Sequence, residues 1–347
     1  MGVGKVAVFS GIGIAALSGL TWAFLKSSTY DDLNSVLSFS SRVAAGMRAY
    51  EGKEKEPLYS DPLAELLAGQ RGMQAASTAM KRYEGAADKE SKADRKYLVG
   101  RVALRTLYYD DHLLAACKAG ARQVVLLGAG MDSRAWRLDL PEGISWFEID
   151  RADVLNAKRK VLTEAQALFS VDTNKGAKYP LRAAIYRACE ADLGSEHWTE
   201  RLIAAGFDPS VPTVWVAEGL LPYLSEATVT ALLNSARSVS AKRSRFLMMA
   251  FTSEDMVKSY NECANQTPVA WAKELSATFK SSFPTDARPY LEERGWHAVS
   301  VNFYSDLADK YAHGLPWTST PGMMVNLGLS SSSSSDTKTV FIDAIPF

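Results

Sequence analysis

The 347-residue sequence predicts an α/β fold, a twisted and mostly parallel sheet with helices on both faces. Three observations carry that expectation. Short apolar runs of strand length recur through the chain, among them Gln123–Leu127, Ile144–Ile149, Thr213–Ala217 and Ser244–Phe251. Stretches with apolar residues at helical spacing lie between them, as in 153–169 and after Ser225. The first run breaks into Gly128-Ala129-Gly130 and the second ends on Asp150, which is the plan of a nucleotide-binding βαβ unit.

Composition fits one large α/β domain or two small ones. An apolar share of 47% and a charged share of 22% are ordinary for a folded globular protein. The 39 basic and 39 acidic residues cancel and form no basic stripe, which gives no reason to expect a nucleic-acid partner. Cys117, Cys189 and Cys263 are widely spaced and read as reduced thiols. Together with His112, His197, His297 and His313 they form no metal-ligand spacing, so no metal is expected.

Val6 to Leu25 holds twenty uncharged residues between Lys5 and Lys26, just enough for one helical span of a bilayer. Three glycines and two serines weaken it. The expectation is an apolar anchor over 1–26, possible membrane association through residues 6–25, and a catalytic domain over 27–347 facing the cytosol. An organelle-targeting segment and a soluble cytoplasmic protein are the alternatives. No A-x-A cleavage site follows, and Val6 stands where a myristoylation signal wants Ser or Thr.

Leu33, Val36, Leu37, Phe39 and Val43 can share one helical face. Asp61-Pro62 then reads as an N-cap followed by a first helical residue. Residues 81–96 are charge-rich and read as a solvated face or loop. Val102 to Gly120 forms a helix before the first strand, with Arg105 placed to face that strand's carboxyl edge. Arginine suits a carboxylate through its bidentate geometry, although a salt bridge to Asp110 or Asp111 is an equal rival.

In the βαβ unit, Gly128 and Gly130 let backbone approach a ligand, and Asp150, 22 positions after Gly128, can accept a ribose hydroxyl pair. A glycine turn is also common for purely structural reasons. A dinucleotide site wants a small residue opening a phosphate-binding helix. Here Ser133 is followed by Arg134, Ala135, Trp136 and Arg137, and the unit comes after more than 120 residues. S-adenosyl-L-methionine carries no pyrophosphate and suits this loop better than NAD.

The twelve residues Leu127-Gly128-Ala129-Gly130-Met131-Asp132-Ser133-Arg134-Ala135-Trp136-Arg137-Leu138, with Phe147-Glu148-Ile149-Asp150, resemble the leucine carboxyl methyltransferase family. Within it they are most similar to the branch of microbial S-adenosylmethionine-dependent methyltransferases, over Leu33 to Pro316. The resemblance implies a class I methyltransferase (Rossmann-like) fold with a reversed final strand and an N-terminal helical cap over the cofactor pocket. It implies that Arg105 holds the cofactor's carboxylate, that Asp192 beside Leu193 accepts the adenine amino group, and that Glu218 lies near the methionine part.

After Asp150, residues 153–169 form a helix, and Ala183–Tyr186 begins a third strand reaching Ala191-Asp192-Leu193. Asp at a strand end is otherwise usually a cap. Thr213–Ala217, the fourth strand, ends at Glu218-Gly219-Leu220-Leu221-Pro222-Tyr223, and Ser225-Glu226 opens a helix with Val229, Leu232, Leu233 and Ala236 on its core face. Tyr223 is a candidate substrate-side residue, with simple packing as the alternative. Ser244–Phe251 is a fifth strand, and 253–283, with Tyr260, Trp271, Phe279 and Phe283, is long enough to cap a substrate. Arg288–Arg294 is a helix, His297–Phe303 a sixth strand, 330–335 a serine loop, and Thr337–Ile342 a seventh strand.

The expected function is methyl transfer from S-adenosyl-L-methionine to a carboxylate or hydroxyl oxygen of a small molecule or a chain terminus. A nicotinamide-dependent oxidoreductase and a catalytically silent binding protein of the same fold are the alternatives.

Overall fold

The computed structural model describes residues 33, 35–81, 99–170, 176–195, 197–253, 257–258, 270–315, 317 and 339–347. Its helices are α1 Val36–Glu51, α2 Ala64–Lys81, α3 Arg101–Lys118, α4 Arg134–Arg137, α5 Ala152–Glu164, α6 Trp198–Ala204, α7 Glu226–Ser238, α8 Ala270–Ser276, α9 Ala287–Glu292 and α10 Tyr304–Tyr311. Its strands are β1 Gln123–Leu127, β2 Ser145–Asp150, β3 Ile185–Glu190, β4 Thr213–Ala217, β5 Arg245–Phe251, β6 Trp296–Phe303 and β7 Thr339–Pro346.

The seven strands form one sheet in the order β3-β2-β1-β4-β5-β7-β6. β1 pairs in parallel with β2 and β4, whereas β7 runs antiparallel to both β5 and β6. The chain order reverses between β1 and β4, and at such a switch point a crevice opens beyond the carboxyl ends of the strands. Gly128, Asp150 and Glu218 stand at or just after those ends.

β1 and β4 are buried along their whole length because helices cover both faces. The pleat sends Val124 and Leu126 into one core with Tyr108, Trp136 and Trp146, and Val125 and Leu127 into the other with Phe147, Trp215 and Trp296. Local sequence sets the helix starts. The side chains of Ser35, Ser225 and Asp286 accept the N–H groups of Ser38, Thr228 and Arg288 at the N-caps of α1, α7 and α9.

Several boundaries differ from the sequence expectation, and two of them have a structural reason. The third strand starts at Ile185 rather than Ala183. The helix expected over 153–169 ends at Glu164, because Gln166 takes a left-handed φ of 58° and Ala167 bridges to Tyr179. The seventh strand runs to Pro346 because it is sandwiched between β5 and β6 rather than lying at an edge.

The expected membrane-spanning helix, and with it the membrane-anchored localisation, is withdrawn. No helix among the described residues is long and apolar enough to cross a membrane. Residues 6–25, on which that expectation was placed, lie outside the described residues, and their glycines and serines dilute an apolar run of only minimal spanning length.

Behind the glycine loop, Glu148 on β2 is fully buried, and so is Lys158 on α5, whose Nζ donates to Glu148 Oε2 at 2.6 Å. The Tyr186 hydroxyl donates to the same oxygen at 2.8 Å, and Lys158 lies 5.8 Å from the Trp136 ring centre. Burial pushes the Glu148 carboxyl above its usual range, against the opposing pull of Lys158. Lys158→Met removes the counter-charge and strands a buried carboxylate, with an expected loss of about 3–5 kcal/mol in urea unfolding near pH 8. A raised folded pKa means that stability is fully present below the unfolded value of about 4.3 and is lost as pH rises through the folded value. The penalty should therefore shrink at acidic pH, and a variant equally stable at pH 5 and 8 would contradict this account.

Candidate active site

A cavity of about 600 Å³ opens beyond the carboxyl ends of the central strands, within the span of roughly 300–1,000 Å³ typical of small-molecule sites. Arg105, Gly128, Gly130, Asp150, Asp192, Leu193, Glu218 and Tyr223 all line it. Residues spread over more than a hundred positions thus meet in one place because four different elements end there.

The glycine loop presents bare backbone to the cavity. Gly128 has φ +69° and Gly130 φ +51°, the left-handed region that side chains resist. The Gly128 N–H donates to the Ile149 carbonyl at 2.9 Å, fastening the loop to β2. A Cβ on Gly128 would stand 3.0 Å from Leu220 Cδ1, and one on Gly130 would stand 2.9 Å from Ser41 Cβ of α1.

Asp150 Oδ2 accepts the Gly130 N–H at 2.7 Å, and Oδ1 accepts the Arg151 N–H at 2.8 Å. Burial raises the Asp150 carboxyl, while the two N–H groups pull it back. Each oxygen keeps a further lone pair for a hydroxyl. Asp192 is exposed and its Oδ1 accepts the Gly194 N–H at 2.9 Å, so it caps a turn while lining the cavity; neighbouring Leu193 is buried.

Neither expected rival for Arg105 is its partner. Arg105 Nε donates to Glu218 Oε1 at 2.7 Å, while Asp110 binds Arg134 and Arg137, and Asp111 binds Lys310 and Tyr311. The two Nη groups of Arg105 make no hydrogen bond to another described residue. Glu218 Oε2 meets Arg134 Nη1 at 2.8 Å. Burial pushes the Glu218 carboxyl up, but Arg134 and Arg105 outweigh it and hold it below the ordinary range.

This pairing is one end of a buried chain that the sequence did not reveal. Arg48 of α1 meets Asp61 at 2.8 Å, and Asp61 faces Arg137 Nε at 3.6 Å. Arg137 meets Asp110 at 2.6 Å, and Asp110 meets Arg134 at 2.6 Å. Arg134 also pairs with Asp132 and, through Glu218, reaches Arg105. Four arginines therefore alternate with three carboxylates, and Asp132 branches from Arg134 as a fourth. The only sequence signal was the density of charge in Asp132-Ser133-Arg134-Ala135-Trp136-Arg137, within an otherwise apolar unit.

A glycine loop, a strand-end carboxylate 22 residues on and a free guanidinium face within one cavity fit a nucleoside that carries an amino-acid carboxylate. A sequence profile described as leucine carboxyl methyltransferase matches residues 41–237, which is more than half of the chain. The chain belongs to the leucine carboxyl methyltransferase family. It is 35% identical over 278 residues to a candidate S-adenosyl-L-methionine-dependent methyltransferase of Streptomyces avermitilis, covering 80% of this chain and 88% of that one. A second relative with a similar name, from Frankia alni, is 35% identical over 272 residues, covering 78% and 85%. The crystal structure of a DUF574 family protein from Streptomyces avermitilis superposes with a TM-score of 0.50 at 11% identity, over 89% of this chain and 97% of that one, and shares the fold.

This leucine carboxyl methyltransferase family member is thus a class I, S-adenosylmethionine-dependent methyltransferase. Its relatives do not favour the nicotinamide reading. Gly128→Val combines an unfavourable backbone angle with a side chain driven against Leu220. Calorimetry should show no binding of S-adenosylhomocysteine to a variant whose far-ultraviolet circular dichroism is unchanged; wild-type affinity would reduce the glycine to a turn residue.

Proposed function

We propose that this enzyme methylates a carboxylate oxygen of a small molecule or chain terminus. The observation that carries this reading is that no histidine lines the cavity among the described residues, and that the carboxylates beside its aromatic half are engaged by arginines. Its phenols are held neutral: burial pushes Tyr223 up to about 12, despite the nearby Arg105, and burial likewise raises Tyr304. Of its carboxylates, Glu218 is held by Arg105 and Arg134, and Asp132 by Arg134. With no such group free to act as a base beside the aromatic half, among the described residues, the site suits an acceptor that arrives as an anion, and a carboxylate is ionised near pH 7 without a general base.

In this reading, Asp150 accepts the ribose hydroxyls and Gly128 and Gly130 let the backbone approach the cofactor. The free Nη groups of Arg105 receive the cofactor's carboxylate. Glu218 fixes Arg105 in that direction through its Nε, and Asp192 and Leu193 border the adenine. S-adenosylmethionine, when bound, supplies a methyl group on a positively charged sulfur. The protein's task is alignment, which can lower the barrier by roughly 7–11 kcal/mol. Residues 253–283 serve as the acceptor's cap. Trp271, Leu275 and Phe279, from the described part of this segment, line the cavity, and the Lys280 N–H donates to the Pro222 carbonyl at 2.7 Å, holding the cap against the turn after β4.

Asp150→Ala should weaken S-adenosylhomocysteine binding by about 1–3 kcal/mol, the cost of leaving buried hydroxyl donors unpaired, with little change in unfolding temperature. Unaltered affinity in calorimetry would remove Asp150 from the cofactor site. For the acceptor, cell extract supplied with methyl-labelled cofactor should yield a product whose label is released as methanol by mild alkali, as methyl esters are. An alkali-stable label would point to a hydroxyl or amine and sink the carboxylate reading.

A further inference from the structure

Tyr304 is the first residue of α10, at the carboxyl end of β6 and on the acceptor side of the cavity. It is only 5% exposed, and its ring is fixed on two sides. Phe341 meets it edge-on at 4.8 Å between ring centres, and the Arg101 guanidinium lies 4.2 Å from its centre. Its hydroxyl hydrogen-bonds no described residue. Unlike the sealed hydroxyls of Tyr59 and Tyr108, it is not closed off from solvent, and it belongs to a residue that lines the cavity, so it is left available to a ligand there. Arg105 and Glu218 line the same cavity, and in the reading above they mark the methionine end of the cofactor site. The neighbouring wall is aromatic: Tyr223 stacks on Phe279 at 5.0 Å, and Phe279 meets Phe251 edge-on at 5.2 Å.

We propose that the Tyr304 hydroxyl holds the acceptor's carboxylate, and that the acceptor is an amphipathic acid whose aromatic or long aliphatic body lies against Phe279, Tyr223 and Trp271. This rests on the carboxylate reading above and adds a specificity residue and a substrate class to it. The phenol donates to one carboxylate oxygen, a charge-assisted bond. The other oxygen stays free to attack. An O–CH₃ bond forms as the S–CH₃ bond breaks, the electron pair of the broken bond stays on sulfur, and no proton moves. The products are a methyl ester and a neutral thioether. Burial, which raises the phenol above its ordinary range against the pull of Arg105 and Arg101, keeps the donor proton in place.

The test uses the full chain saturated with S-adenosylhomocysteine, titrated calorimetrically with 4-phenylbutyrate, its neutral analogue 4-phenylbutanol, and butyrate. Wild type should bind phenylbutyrate at least about tenfold more tightly than either of the others. Tyr304→Phe keeps the ring between Arg101 and Phe341 and removes only the hydroxyl. It should lower the acid-over-alcohol preference at least about fivefold, with S-adenosylhomocysteine affinity and unfolding temperature unchanged. With the acceptor recovered from extract, the same variant should raise KM more than it lowers kcat. An unchanged acid-over-alcohol ratio overturns the assignment, and so does weakened S-adenosylhomocysteine binding, since the hydroxyl then serves the cofactor. Equal binding of butyrate and phenylbutyrate overturns the apolar body. An alkali-stable product overturns the carboxylate reading itself, whereas an alkali-labile product with an unchanged Tyr304→Phe ratio overturns only the role of Tyr304.

Discussion

Everything in the cavity depends on a buried chain of alternating charge. Arg48, Asp61, Arg137, Asp110, Arg134, Asp132, Glu218 and Arg105 come from α1, the turn before α2, α3, the glycine loop, α4 and the end of β4. Removing any one member would strand a partner in a medium that solvates charge poorly, so the elements are held together as a set. Stability alone does not account for it, since buried ion pairs often contribute no more than apolar packing of the same volume. What the chain adds is direction. Glu218 is gripped on both oxygens, and it in turn turns Arg105 so that its Nη groups remain unspent.

The same chain ties the helical cap to the sheet. Arg48 donates from α1 to the carbonyl of Met131, inside the glycine loop, at 2.6 Å. At the other end of α1, Arg151 reaches Ser35 and Ser38, and Ser38 donates to Asp153 at 2.7 Å. Ser41 sits directly over Gly130. The cap is therefore registered against the glycine loop and the end of β2, and the wall is completed by a helix that precedes the sheet by some eighty residues of chain.

The two halves of the cavity differ in kind. The half formed by β1 and β2 is backbone and carboxylate, suited to hydroxyls and a nucleoside. The half formed beyond β4, β5 and β6 is aromatic, with neutral phenols at Tyr223 and Tyr304. The boundary between them is Glu218 with Arg105, and it follows from topology: the reversal of strand order separates β2 from β4, and the antiparallel β7 brings the end of β6 to the aromatic half.

The sequence by itself determined what short-range chemistry encodes. The strands with unbroken apolar runs, Gln123–Leu127 and Thr213–Ala217, lie where period and length put them, because both faces of a central strand are buried. The left-handed glycines and the acid at the end of β2 were legible because a turn of that shape accepts few other residues. Boundaries such as the end of α5 at Glu164 were not, since Gln166 gives no warning of its left-handed turn. Nor could the apolar run over 6–25 show that it forms a spanning helix, because hydropathy reports only solubility in lipid and not the structure adopted. The partner of Arg105 was decided only by tertiary structure: Asp110 and Asp111 were nearer in sequence, but Asp110 is engaged by Arg134 and Arg137 and Asp111 by Lys310 and Tyr311, and Glu218 arrives from 113 positions off. Tyr304 carried no local signal at all. A tyrosine opening a helix is unremarkable until folding buries its ring and leaves its hydroxyl facing an open cavity, because hydrogen-bond satisfaction is a property of assembled neighbours and not of sequence.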